Sequence, residues 1–113
     1  MKVAIVGSRG LLVENLEDYL PSGVTEIVSG GAIGIDTCAR QYAQTHGIAL
    51  KEFLPDYQAY GKRAPLIRNL QIIAYADVVI AFWDRHSRGT KYVIDHAKQC
   101  GKKLIVYCPS LQK

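Results

Sequence analysis

Apolar residues in this chain fall into short dense runs, parted by polar turns that contain glycine. Lys2 to Val6, Val24 to Ser29 and Asp77 to Trp83 are nearly continuous apolar runs, as expected of strands buried on both faces of a parallel sheet. The most apolar, Asp77 to Trp83, is predicted to be central. Ile48 to Leu54 alternates instead, which predicts a strand near a sheet edge, and Lys103 to Cys108 predicts a last strand that Pro109 ends. Between the runs, apolar positions recur at helical spacing. Leu11, Leu12, Leu16, Tyr19 and Leu20 predict a helix that Pro21-Ser22-Gly23 stops. Ile35, Cys38, Ala39, Tyr42 and Ala43 predict a helix from Asp36 to His46, closed by Gly47. Leu66 to Tyr75 is a third helix, and Val93, Ile94 and Ala97 carry a fourth that ends at Gly101. Pro55 to Pro65, with Tyr57, Tyr60 and the adjacent cations Lys62 and Arg63, is predicted to be irregular.

Strands alternating with helices imply an α/β class and a parallel sheet. Right-handed crossovers then favour a single Rossmann-like, doubly wound sheet of about five parallel strands in the order 3-2-1-4-5, with helices on both faces. A chain of 113 residues suits one domain, 1–113. Ligands of such sheets bind beyond the carboxyl ends of the strands, where the winding direction reverses. That point lies between the first and fourth strands. The loops Gly7 to Gly10, Ser29 to Gly34 and Asp84 to Thr90 are predicted to converge there.

The stretch Val28-Ser29-Gly30-Gly31-Ala32-Ile33-Gly34-Ile35-Asp36 joins a strand, a glycine turn and a helix start without a linker. Glycine lets the backbone approach a ligand closely, and a helix start presents N–H groups and a positive dipole end. The pattern predicts an anion site, although a tight turn without a ligand uses the same residues. Arg9, Arg68 and Arg88 are candidate phosphate forks. Ser87 and Thr90 offer hydroxyls where a helix N-cap also needs them. Asp36 suits the start of its helix or a ribose contact, and Trp83, Tyr57 and Tyr60 are candidate stacking surfaces or plain packing. Two common chemistries are excluded. Gly7-Ser8-Arg9-Gly10 is not the dinucleotide fingerprint, the second strand does not end in an acid, and no Gly-Lys-Ser/Thr occurs. Dehydrogenases and NTPases of the usual kinds are thereby set aside, and no cofactor is predicted.

The remaining composition refines this picture. A formal charge of +4 favours anionic partners, and Arg9, Lys62, Arg63, Arg68, Arg85, Arg88 and Lys91 all stand in or beside loops. His46, His86 and His96 have no metal-ligand spacing, so no metal is predicted, and no acid orients His86 beside Ser87, so it reads as an ordinary loop histidine and not as the base of a nucleophile pair. Cys38, Cys100 and Cys108 are an odd set with no paired spacing, as expected of reduced thiols, and Cys38 reads as core. No apolar run approaches ~20 residues, and the first run is too short for a secretory leader, so a cytoplasmic protein with no membrane partner is expected.

Four segments together resemble the SLOG superfamily: Ser29 to Asp36, Arg68-Asn69, Ala76-Asp77 and Ser87-Arg88-Gly89-Thr90. The resemblance runs over nearly the whole chain. It is close to the single-domain YspA- and YpsA-related group, which implies a sensor or binding module for a nucleotide or nucleotide-derived ligand. Ser29 to Asp36 is similar to the SGxAxGID signature of the DNA-processing protein A core, which implies single-stranded DNA as an alternative ligand. Arg68 to Ile72 and Ala76-Asp77 are similar in spacing to the lonely-guy phosphoribohydrolases, which implies N-glycosidic hydrolysis of a nucleotide as a second alternative. Against that activity, Val93 stands where the catalytic Glu of that group sits. Arg68 is a candidate catalytic residue for that activity, with Asp36 or Asp95 as substitutes for the Glu. The resemblance also implies a homodimer or higher homo-oligomer. Loops and resemblance together give the candidate ligand-binding set Gly7, Ser8, Arg9, Ser29, Gly30, Gly31, Ala32, Gly34, Asp36, Arg68, Asn69, Ser87, Arg88, Gly89 and Thr90.

Overall fold

In the computed structural model, which describes residues 1–31 and 34–108, the apolar runs form one parallel sheet. Its strands are β1 (Lys2–Gly7), β2 (Glu26–Ser29), β3 (Ala49–Glu52), β4 (Val78–Phe82) and β5 (Lys103–Tyr107), in the order β3-β2-β1-β4-β5. β1 is central and pairs with β2 from Lys2↔Glu26 and with β4 from Val3↔Val78. Successive side chains of a strand point to opposite faces, and the core divides accordingly. Val3, Ile5, Val78, Ile80 and Phe82 face one side, and Ala4, Val6, Val79 and Ala81 the other. β4 is buried throughout, whereas β3, at the edge, alternates between exposed and half-buried positions.

The first face is covered by α1 (Ile35–His46) through Ile35, Ala39 and Ala43. The second is covered by α3 (Ala64–Tyr75) through Ile72 and Ile73, and by α4 (Arg88–Gln99) through Val93, Ile94 and Ala97. Each fully buried Ile or Val of these stripes contributes about 1.5–3 kcal/mol of transfer free energy, which sets the helix faces firmly on the sheet. α1 ends at Gly47, whose left-handed φ of 64° lets its N–H bond to the Ala43 carbonyl.

Two expectations are corrected. Leu11 to Leu20 is not a helix; only a 3-10 turn at Leu16–Tyr19 forms. Leu11, Val13 and Leu16 are buried while Leu12 is 74% exposed, so the inward positions do not follow helical spacing. The Val13 N–H bonds to Cys38 Sγ at 3.4 Å, fastening this segment to α1 and leaving Cys38 half-buried. Pro55 to Pro65 is more ordered than expected. It holds α2 (Tyr57–Tyr60), capped by Asp56 Oδ1 accepting from the Ala59 N–H, and a 3-10 turn at Gly61–Arg63. Pro65 lies in the first turn of α3, where a missing N–H is tolerated. Among the described residues no helix is long and apolar enough to cross a membrane.

Candidate functional site

The strand order reverses between β1 and β4, and a crevice of about 460 Å³ opens beyond their carboxyl ends. Four groups of residues line it. Gly7, Arg9 and Gly10 come from the end of β1 and its loop; Gly30 and Asp36 come from the turn after β2 and the start of α1. Pro65, Leu66, Arg68, Asn69 and Ile72 form the α3 wall, and Asp84, Ser87, Gly89, Thr90 and Val93 the wall at α4.

Packing explains why glycine stands at several of these positions. A Cβ on Gly7 would lie 2.8 Å from Ile35 Cβ and 2.9 Å from the Phe82 carbonyl oxygen, so glycine lets α1 and β4 close on the end of β1. Gly34 has φ of 76° and presses on the Arg9 backbone, which brings the β1 loop against the start of α1. Ser8 is buried and joins the two central loops. Its N–H donates to the Phe82 carbonyl at 3.0 Å, and its Oγ accepts the Asp84 N–H at 3.2 Å.

Arg68 reaches across the crevice from α3. Its Nε donates to Asn69 Oδ1 and its Nη1 to the Gly30 carbonyl, both at 2.9 Å. A Cβ on Gly30 would fall 2.5 Å from Nη1, so the guanidinium rests in the space that glycine leaves. Burial draws Arg68 below its ordinary value; Asp36 and Tyr57 oppose the shift, and Arg9 adds to it. The group stays cationic, since an arginine does not give up its proton in a protein. Arg9 and Arg68 therefore present two cations to one space, with the buried Asp36 carboxylate beside Arg68.

The opposite wall is the start of α4. Ser87 caps the helix, its Oγ accepting from the Thr90 N–H at 3.4 Å and donating to Thr90 Oγ1 at 3.3 Å. Asp84 Oδ1 accepts the N–H groups of His86 and Ser87, each at 2.8 Å. These bonds hold the Asp84 carboxyl below its ordinary value of 3.8. Trp83 Nε1 donates to the Ser87 carbonyl at 3.0 Å, so the loop is fixed from both ends. Two carboxylates and two guanidiniums balance formally in the crevice. The positive end of the α4 dipole is added to that balance.

Nine residues of the candidate set line the crevice: Gly7, Arg9, Gly30, Asp36, Arg68, Asn69, Ser87, Gly89 and Thr90. Five described members do not. Ser8 is buried beneath it, and Ser29 is fully buried with its Oγ accepting the Gly31 N–H at 3.4 Å. Gly31, at φ 72°, backs onto Leu54 and Glu52, and Gly34 onto the Arg9 backbone. Arg88 is turned to the far side of α4, into a second depression. Ala32 lies outside the described residues. Of the suggested stacking residues, Tyr57 and Tyr60 are exposed beside the crevice without lining it, and Trp83 also faces the second depression. Asp84 was not in the candidate set, although Asp three residues before a Ser that opens a helix is the pattern of a side chain that caps its own loop. The apolar side chains of Leu66, Ile72 and Val93 complete the lining. Among the described residues no three His, Cys, Asp or Glu side chains are placed to hold a metal ion. No family model, curated protein or solved structure matches the chain.

Proposed function

We propose that this chain is a SLOG-type module that binds a nucleotide or nucleotide-derived ligand in the crevice between β1 and β4. One observation carries the reading: Arg9, Arg68 and the first turn of α4 converge on a single space at the reversal of strand order. A phosphate there accepts from the guanidiniums and from the helix N–H groups, while the exposed Leu66, above the buried Ile72 and Val93, offers an apolar surface to a base or sugar. Arg68 is the principal phosphate ligand, because Gly30 and Asn69 hold it before any ligand arrives. Calorimetric titration with nucleoside mono- and diphosphates tests this. A charge-assisted hydrogen bond is worth about 1.5–3 kcal/mol, so Arg68→Ala is expected to weaken binding roughly tenfold to a hundredfold. Equal affinity of the native chain and of both Arg68→Ala and Arg9→Ala would refute the assignment.

Single-stranded DNA is the second reading, favoured by Tyr57 at 60% and Tyr60 at 46% exposure next to Lys62 and Arg63. Exposed aromatics among cations form a stacking platform for bases. A tight oligothymidylate isotherm that falls steeply with salt would replace the first reading with this one. Hydrolysis of a nucleotide N-glycosidic bond has weaker support, because Val93 can neither move a proton nor stabilise an oxocarbenium ion. Base release that is lost in Arg68→Ala would establish it. A homodimer belongs to the same reading, and sedimentation of the purified chain tests it.

A further inference from the structure

The far side of α4 carries a second depression, of about 450 Å³, which the crevice does not include. Trp83, Arg85, His86, Arg88, Lys91 and Tyr92 are its main lining. Ser87 borders both spaces, so the first turn of α4 and the loop before it lie between them. Thr90 and Val93 point to the crevice, and Arg88, Lys91 and Tyr92 to the depression.

The charges here are placed against the interests of the folded chain alone. Arg88 and Lys91 open α4, and no acid stands in its first turn. Cations at a helix N-terminus oppose the dipole. Lys91 is answered by Asp95 at 2.9 Å, but Arg85 and Arg88 have no ion pair or side-chain hydrogen bond among the described residues. Arg85 also holds a left-handed φ of 71°, a conformation that non-glycine residues adopt at a cost. Two half-buried aromatic rings, Trp83 and Tyr92, adjoin these free cations. Free guanidiniums beside aromatic faces match a phosphate attached to a planar base.

We infer that the depression is a second nucleotide subsite, so that the ligand of this protein carries two bases joined through phosphate. The inference rests on the crevice holding the first nucleotide. The linking phosphate passes over Ser87 at the positive end of α4, with one base on either side of the helix. A linear dinucleotide and a longer single strand share this chemistry.

The chain has one tryptophan, Trp83, which lines the depression and not the crevice, so a base stacked in the depression quenches its emission directly. The probes are adenosine and thymidine 5′-monophosphates, the matching 5′-phosphorylated dinucleotides and a longer oligothymidylate. Calorimetry gives affinity and Trp83 emission gives occupancy of the second subsite. The dinucleotides are expected to bind at least about tenfold tighter than the monophosphates, as one added stacked base provides, and to quench Trp83 where the monophosphates do not. Arg85→Gly combined with Arg88→Ala should abolish that gain and leave monophosphate affinity unchanged. Glycine is at ease at the φ of Arg85, so the double variant keeps its fold. An oligothymidylate no tighter than the dinucleotide identifies a small ligand, and one much tighter puts the single-stranded DNA reading in place of the first, with two successive nucleotides of the strand in crevice and depression; in both cases the gain from the second base supports the second subsite. Monophosphate binding with no gain from the second base overturns this inference and leaves the crevice reading standing. Equal loss of both ligands in the double variant also overturns it. Dinucleotide binding without monophosphate binding overturns the crevice reading and the two-subsite ligand together.

Discussion

Gly30→Ala separates what the crevice does for the fold from what it does for a ligand. The new Cβ would lie 2.5 Å from Arg68 Nη1, 3.0 Å from its Cζ and 3.1 Å from Asp36 Oδ2. Carbon contacts become favourable at about 3.5 Å, so the guanidinium must retreat by roughly 1 Å. Gly30 is not among the glycines at positive φ, so alanine suits its backbone. The obstacle is the tip of a long side chain that can swing aside. Swinging aside breaks its 2.9 Å bond to the Gly30 carbonyl. Water can replace that bond at a half-buried site, so the loss of stability is expected to be about 1 kcal/mol, or roughly 4 °C in Tm. On the proposed reading the effect on binding is larger, because Arg68 would no longer meet a phosphate. Nucleotide affinity should fall about tenfold to a hundredfold, as in Arg68→Ala. Calorimetry and thermal unfolding of Gly30→Ala, Arg68→Ala and the double variant measure both effects. The double variant should bind no worse than Arg68→Ala, since the two changes remove one interaction. Unchanged affinity in Gly30→Ala, or losses that add in the double variant, would refute the role given to the Gly30–Arg68 contact.

Gly7→Ala should behave in the opposite way, because its Cβ meets Ile35 and the Phe82 backbone, which cannot swing aside. A loss of about 1–3 kcal/mol or more is expected in denaturant unfolding, and an unchanged midpoint would contradict the packing at the end of β1. Arg85→Gly relieves a left-handed residue, a gain of about 1–2 kcal/mol offset by about 0.5–1 kcal/mol of glycine entropy. A small rise in the unfolding midpoint is therefore expected, and a fall would contradict the strain. The Asp84 carboxyl is held below its ordinary value by the His86 and Ser87 N–H groups, and that of Asp77 by the Lys2 N–H. In both cases the unfolded chain takes up the proton first as pH falls. Their stabilisation is complete above the ordinary value of 3.8 and is lost as pH drops through the lower folded-state values. Tm should decline as pH falls below about 4, and Asp84→Asn should make that decline shallower; an unchanged slope would contradict the loop-holding role of Asp84.

Strand existence and sheet order were legible because the burial of β1 and β4 on both faces leaves unbroken apolar runs, while the edge strand β3 keeps an alternation. The crevice was legible from topology and glycine loops. What glycine does at each position was not. Gly7 and Gly34 serve close packing, and Gly30 makes room for a guanidinium from a helix 38 residues onward. Sequence spacing alone cannot separate these roles from phosphate contact. The direction of Arg88 was also hidden, because the helix phase that turns it away depends on where α4 begins. The 11–20 segment misled because its leucines mimic a helical stripe. Its inward positions are set instead by Cys38 and the sheet face.

The pairing of β1 with β4 has a consequence for the order in which the protein assembles. Val3 meets Val78 across a loop of about 75 residues, whereas Lys2 meets Glu26 across about 24. Closing the longer loop costs roughly 1 kcal/mol more chain entropy, so the β1–β2–α1 half is favoured to form first. The crevice belongs to neither half. Arg9, Gly30 and Asp36 come from one, and Arg68, Asp84 and Thr90 from the other. A ligand bound there as proposed would span the last junction to close. It would recognise the finished molecule and no partly folded form, and at a hundred times its Kd would add about 2.7 kcal/mol against unfolding. The occupant of the crevice would then also act as the clasp between two folding units.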